Sequence, residues 1–194
     1  GDEHKKIISK YIEDFKKMDK NSGDYLVMHG NLRQYIELVK VDIIRDLIHD
    51  HMEDGFSIAI FLNYTNSINK LAKYFNTKCI VNGEIGIAER EHNIEMFQTG
   101  QSKIIICNMS VESISLHDVN NIGRRLTLIS PSFSSTRLIQ ALGRTYRAGS
   151  HSSCLQKIIF CSDTYEEEIC NKIKKKLEFV EKLNSNELME IEDL

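Results

Sequence analysis

Apolar residues recur at spacings of three and four along residues 3–20, at Ile7, Ile8, Tyr11, Ile12 and Phe15. That spacing predicts an amphipathic helix, ended by the polar run Asn21-Ser22-Gly23-Asp24. A second helical stripe, with Ile36, Val39, Ile43, Ile44, Leu47 and Ile48 on one side, covers residues 32–52 and stops at Asp54-Gly55. After Gly55 the texture changes. Short continuous apolar runs at 57–62, 79–81, 103–107, 125–129 and 154–160 alternate with helical patterns at 66–75, 88–97, 134–142 and from 164 onward. Strands that read as unbroken Ile, Val and Leu are covered on both faces, and strands taking turns with helices pair in parallel through right-handed crossovers. The expected fold is therefore α/β, a doubly wound, mostly parallel sheet with helices on both faces, preceded by a short helical segment. The pattern divides the chain into a helical preface (1–54), an α/β domain (55–183) and an acidic tail (184–194). Ligands of such sheets bind beyond the carboxyl ends of the strands, so chemistry is expected in the loops after Leu62, Cys107, Ile129 and Leu142.

Composition narrows this picture without redirecting it. With 41% hydrophobic and 27% charged residues over 194 positions, the chain has the balance of a globular protein. No apolar run approaches the roughly 18 residues that span a bilayer, and no signal-peptide core follows the first residues. No membrane partner is expected. The chain opens at Gly1 and its motif-like features come late, which suggests a piece of a longer protein with a partner domain elsewhere. Five cysteines, widely spaced and without a C-x-x-C pair, point to buried thiols and to neither zinc nor disulfides. Seven histidines form no H-E-x-x-H and no hydrolase triad. No metal site is expected in this chain.

The net charge of −3 conceals an asymmetry. Residues 119–162 contain no Asp or Glu, yet hold Arg124, Arg125, Arg137, Arg144 and Arg147, five of the chain's eight arginines, together with Lys157. The guanidinium fork matches phosphate oxygens, so this window suits a polyphosphate or a nucleic-acid backbone; a solvated basic face is the alternative. Within it lies Gln140-Ala141-Leu142-Gly143-Arg144-Thr145-Tyr146-Arg147. If the helix ends near Gly143, both guanidinium groups project from one turn, with Gln140 one turn earlier on the same side. An amide and two forks around one point suit the oxygens of a terminal phosphate. A helix C-terminus closed by Gly with Arg near the dipole accounts for Gly143 and Arg144, but not for Gln140 or Arg147.

These residues resemble motif VI, Q-x-x-G-R-x-x-R, of the superfamily 2 helicases and translocases. Other segments agree in order. Residues 58–65 are similar to motif IV; Gly83, Arg90, Ile94 and Phe97 match the family's G-x6-R-x3-I-x2-F segment; residues 113–118 stand where motif V falls. The wording of residues 113–149 is especially like that of Swi/Snf-type helicases of large DNA viruses. The resemblance runs over about residues 32–162 and corresponds to the second, C-terminal RecA-like lobe. It implies ATP with Mg²⁺ as cofactor, held mainly by a missing first lobe of the same polypeptide. It makes Arg144 and Arg147 the catalytic arginine fingers, and places Gln140, Gly143, Ser113, Ser115 and Asp118 near the nucleotide. It sets Asn63, Thr65, Cys107 and Asn108 against the nucleic-acid backbone, with double-stranded DNA favoured and RNA left open. Asn63 and Thr65 are equally suited to capping the following helix. A cytoplasmic or viral location is implied.

Two departures stand out. Where relatives carry a glycine-rich motif V, this chain has Met109-Ser110-Val111-Glu112-Ser113, and with it an altered nucleotide response is expected. None of the ten glycines precedes a lysine, so no phosphate-cradling G-x4-G-K-[ST] loop exists, and Asp2-Glu3-His4 lacks the strand a DExH box needs. This chain by itself is expected not to hydrolyse ATP. The expected function is the second lobe of an ATP-dependent DNA helicase or translocase. The alternative is a non-catalytic, helicase-like nucleic-acid-binding module. A nucleotide-sugar or methyl transferase would need a G-x-G-x-x-G turn, which is missing.

Overall fold

The computed structural model describes residues 2–17, 22–132 and 134–184. The elements run α1 (Asp2–Lys17), α2 (Gly23–Glu53), β1 (Ser57–Leu62), α3 (Thr65–Tyr74), β2 (Ile80–Val81), α4 (Ile87–Gln98), β3 (Ile104–Asn108), β4 (Arg125–Ile129), α5 (Ser135–Thr145), β5 (Cys154–Ile158) and α6 (Tyr165–Asn184). The strands form one sheet in the order β2-β3-β1-β4-β5. Every pairing is parallel. β1 lies in the centre, with Ile60 between Ile106 of β3 and Leu128 of β4.

The two faces sort by residue parity, as the pleat requires. Ile58, Ile60 and Leu62 pack with Ile104, Ile106, Leu126 and Leu128 beneath Val41, Ile44 and Ile48 of α2 and Ile68, Leu71 and Ala72 of α3. Ala59 and Phe61 point the other way, to Ile105, Cys107 and Ile129 and to Phe97, Leu138, Ala141 and Ile173 of α4, α5 and α6. All six residues of β1 are buried. Each fully buried Ile or Leu contributes about 1.5–3 kcal/mol, and this two-sided burial explains the missing polar alternation.

The expected elements are all present, and the differences have local causes. α2 begins at Gly23, nine residues before the apolar stripe, because Ser22 caps it by accepting from the Tyr25 amide at 3.1 Å while Leu26 and Val27 stay exposed. α2 also belongs to the same core as the sheet, so the boundary drawn at residue 54 runs through one packed body. Gly55, at φ +81°, turns the chain directly from α2 into β1. α5 runs through Gly143 to Thr145. The acidic tail at 185–194 lies outside the described residues.

Candidate functional site

α5 is capped by Ser134, which accepts from the Arg137 amide at 3.3 Å. Its last turns bring Gln140, Gly143 and Arg144, together with Arg147 just beyond, against Glu112, Ser113 and Ile114 in the loop between β3 and β4. The cleft between them is open and measures about 500 Å³. Gly143 does not stop the helix, so Arg144 sits on its final turn and Arg147 follows the Tyr146 cap. The Arg147 Nε donates back to the Gly143 carbonyl at 3.2 Å, closing an end that glycine was expected to close.

The two arginines differ in surroundings. Arg147 is exposed, whereas Arg144 is only 5% exposed and lies 5.3 Å from the Phe61 ring centroid. The Arg144 Nη1 is buried with no hydrogen-bond partner. Burial pulls its pKa below the ordinary guanidinium value, against the nearby Cys107 and Glu112, but a guanidinium keeps its proton in a protein. A charged donor left without an acceptor is costly, which makes this atom a place where an anionic oxygen would be favoured.

The β3–β4 loop is held from several sides. Arg90 of α4 donates to the Glu112 carbonyl, the Gln98 Nε2 to the Ser115 carbonyl at 2.9 Å, and the Leu116 amide to the Arg144 carbonyl at 2.8 Å. Ser113 has φ +58°, the left-handed conformation that glycine adopts freely. The expected glycine-poor motif V therefore keeps a glycine-like backbone on a serine.

Ser115 and Asp118 do not line the cleft, contrary to the expectation for them. Ser115 Oγ shares a 2.6 Å hydrogen bond with His117 Nδ1. Asp118 is wholly buried: its Oδ1 accepts from the Ile122 amide at 3.0 Å and faces Arg125 Nη2 at 4.0 Å. Burial raises the Asp118 pKa, but the Ile122 N–H, Ser152 and Arg125 together outweigh it and hold the carboxyl below its ordinary value. Arg125 is equally buried, stacked 4.4 Å from the Phe97 centroid and bonded to Gln98 Oε1 at 3.0 Å. Asp118 thus shapes the loop from inside.

A second cleft, of about 420 Å³, opens at the strand ends between Asn63, Asn108, Ser132, Arg137, Arg33 and Tyr165. Asn108 Nδ2 donates to the Asn63 carbonyl at 3.2 Å, and Asn63 Nδ2 to the Pro131 carbonyl at 3.0 Å. Thr65 is the first residue of α3, and the cap position belongs to Tyr64, which offers no side-chain cap. Cys107, expected against the nucleic acid, is wholly buried and its thiol is pushed up by that burial. It faces the core because β3 alternates, and its neighbour Asn108 takes the outward position. All five cysteines are free, and among the described residues no three His, Cys, Asp or Glu side chains gather to hold a metal ion.

Arg33, Ser132 and Tyr165 around this second cleft and Glu37 beneath it escaped the sequence reading, which named Arg137 only as part of the acid-free basic window. The signal for Glu37 is that it and Lys40 interrupt the buried stripe of α2; each is 1% exposed.

The helicase conserved C-terminal domain family matches residues 39–149, more than half of the chain. The chain belongs to this family. The helicase domain is 36% identical over 184 residues to a candidate ATP-dependent RNA helicase of Acanthamoeba polyphaga mimivirus, covering 93% of this chain and 34% of that one. It therefore spans about a third of that relative's length. Its fold matches the SWI2/SNF2 ATPase core domain of Sulfolobus solfataricus at TM-score 0.61 and 22% identity, over 97% of this chain and 42% of that one. It also matches S. cerevisiae Dbp5 bound to RNA and ADP BeF3, at TM-score 0.55 and 21% identity, over 72% of this chain and 36% of that one. The helicase domain is thus a RecA-like C-terminal lobe. Among its described residues no helix is long and apolar enough to cross a membrane.

Proposed function

We propose that this domain is the second motor lobe of an ATP-dependent helicase or translocase, closing on a nucleotide carried by a first lobe of the same polypeptide. The observation that carries the reading is the buried Arg144 guanidinium, whose Nη1 has no partner, at a cleft shared with Gln140 and Arg147. The residues present fit the terminal phosphate of ATP. Arg144 and Arg147 supply charge to its oxygens, Gln140 adds a neutral donor, and Ser113 presents loop backbone beside them. ATP with Mg²⁺ supplies the phosphoryl group whose hydrolysis is coupled to movement.

The strand-end cleft serves the backbone of the nucleic acid. Asn108, Ser132 and Arg137 are amide, hydroxyl and guanidinium donors, which hold phosphates without reading bases, and Asn63, whose own side-chain amide is spent within the chain, holds Asn108 in place. The likeness to the SWI2/SNF2 core favours double-stranded DNA; the names of the mimivirus relative and of RNA-bound Dbp5 favour RNA.

ATP hydrolysis by the full-length protein, with duplex DNA, with RNA and with neither, tests the reading. Arg144→Ala and Arg147→Ala are each expected to lower turnover by about 10³-fold or more. Unchanged turnover, with only the salt dependence of binding altered, would assign the arginines to a nucleic-acid grip and the chain to a non-catalytic binding module.

A further inference from the structure

The β1–α3 loop contributes Asn63 and Tyr64 to the strand-end cleft, yet no side chain of its own caps α3. The cap comes from another helix. Glu37 of α2, 1% exposed, accepts from the Asn63 amide at 2.9 Å, from the Tyr64 amide at 2.9 Å and from Asn63 Nδ2 at 2.8 Å. Both carboxylate oxygens are used, and the negative charge sits at the positive end of α3. Burying a carboxylate is costly unless it is fully bonded, so a Ser or Asp at position 64 would cap α3 with less desolvation. What Glu37 adds is a tie between the loop and α2.

One turn along, Lys40 makes a matching tie. Its Nζ donates to Ser130 Oγ at 2.8 Å and to the Ile159 carbonyl at 3.1 Å, and pairs with Glu166 Oε1 at 2.6 Å. Ser130 and Ile159 lie just past β4 and β5, and Glu166 opens α6. Two buried charges on one face of α2 thus hold the ends of three strands. Glu37 lies outside the segment 39–149 that the family matches.

From this arrangement we infer that Glu37 is a positioning residue for nucleic-acid binding. It fixes Asn63, whose carbonyl accepts from Asn108 Nδ2 and whose own side-chain amide is spent on Glu37 and the Pro131 carbonyl. It thereby sets where Asn108 stands beside Ser132 and Arg137 in the cleft that takes the phosphate backbone. The inference rests on the motor-lobe reading and goes beyond it by making grip depend on α2.

The test is Glu37→Gln in the full-length protein, followed by hydrolysis against nucleic-acid concentration. The amide keeps the shape but turns a donor toward Asn63 and Tyr64. The nucleic-acid concentration for half-maximal stimulation should rise about tenfold, while hydrolysis without nucleic acid and KM for ATP stay within about twofold. In an Asn63→Ala background the same substitution should add less than about twofold, since its effect passes through Asn63. An unchanged or lowered half-maximal concentration, a parallel fall in basal hydrolysis, or full multiplicative addition to Asn63→Ala would each overturn the inference. If the unsubstituted protein hydrolyses ATP without responding to any nucleic acid, the grip assigned to the strand-end cleft falls and the inference with it.

Discussion

The two clefts hold their polar groups in opposite ways. At the strand ends, Asn108 donates to the Asn63 carbonyl, and Asn63 donates to Glu37 and the Pro131 carbonyl. At the end of α5, the buried Arg144 keeps Nη1 without a partner. The two asparagines of one cleft are bonded within the chain; at the other, one buried guanidinium nitrogen is not. This is the division expected if the asparagines fix the loops around the first cleft, where Ser132 and Arg137 face a polymer, while the second closes on a ligand that comes and goes, because hydrolysis needs donors that bind hardest at one stage.

Arg144→Lys gives the sharpest way to break that contrast. A lysine keeps the charge but loses the fork, so turnover of the full-length protein should fall about as far as for Arg144→Ala, by 10³-fold, with thermal unfolding little changed. Recovery of turnover by Lys would reduce Arg144 to a point charge.

On the strand-end side, Lys40→Met removes one member of a pair whose side chains are each 1% exposed. Burial pushes the Glu166 carboxyl above its ordinary range, against the pull of Lys40, so stranding it should destabilise the domain by about 3–5 kcal/mol in urea unfolding. Adding Glu166→Leu should return most of that loss. If the double substitution is no better than the single one, the pair is not what holds α2 to the strand ends.

Asp118→Asn leaves Arg125 without its anionic neighbour and should cost about 1–3 kcal/mol at neutral pH. Its pH signature is the more telling. A carboxyl held below its ordinary value near 3.8 stabilises the fold fully above that value and loses this contribution as pH falls through the lower native value. Stability of the parent should therefore drop faster than that of the asparagine variant as pH is lowered past about 4, read from urea midpoints. Parallel curves would remove Asp118 from the loop's internal support.

Smallest is Ser113→Gly. A left-handed serine costs about 1–2 kcal/mol, partly offset by the entropy glycine loses on folding, so the domain should gain about 1 kcal/mol or less. A destabilised variant would mean that the Ser113 side chain makes a contact worth more than the strain of its φ.

The acid-free window illustrates how charge in sequence and charge in space diverge. Its basic residues do not form one face. Arg137 goes to the strand-end cleft, Arg144 and Arg147 to the other, Arg125 into the core, Arg124 onto the Phe56 ring, and Lys157 to His51. Lack of acids pointed to a region suited to phosphates but could not say which arginines line a cleft, since β4 and α5 point successive residues in different directions.

What the sequence determined alone is what repeats locally. Apolar runs of strand length alternating with helical stripes required a parallel, doubly covered sheet, and the spacing Gln140, Gly143, Arg144, Arg147 placed those groups on one helix end. Tertiary structure decided what depends on contacts distant in the chain. It turned Cys107 and Asp118 inward, left Arg144 buried without a full set of partners, and sent Glu37 across 26 positions to cap α3. Periodicity reports which face of an element is buried. A hydrogen bond between elements depends on where the folded sheet brings their ends, and no local pattern carries that distance.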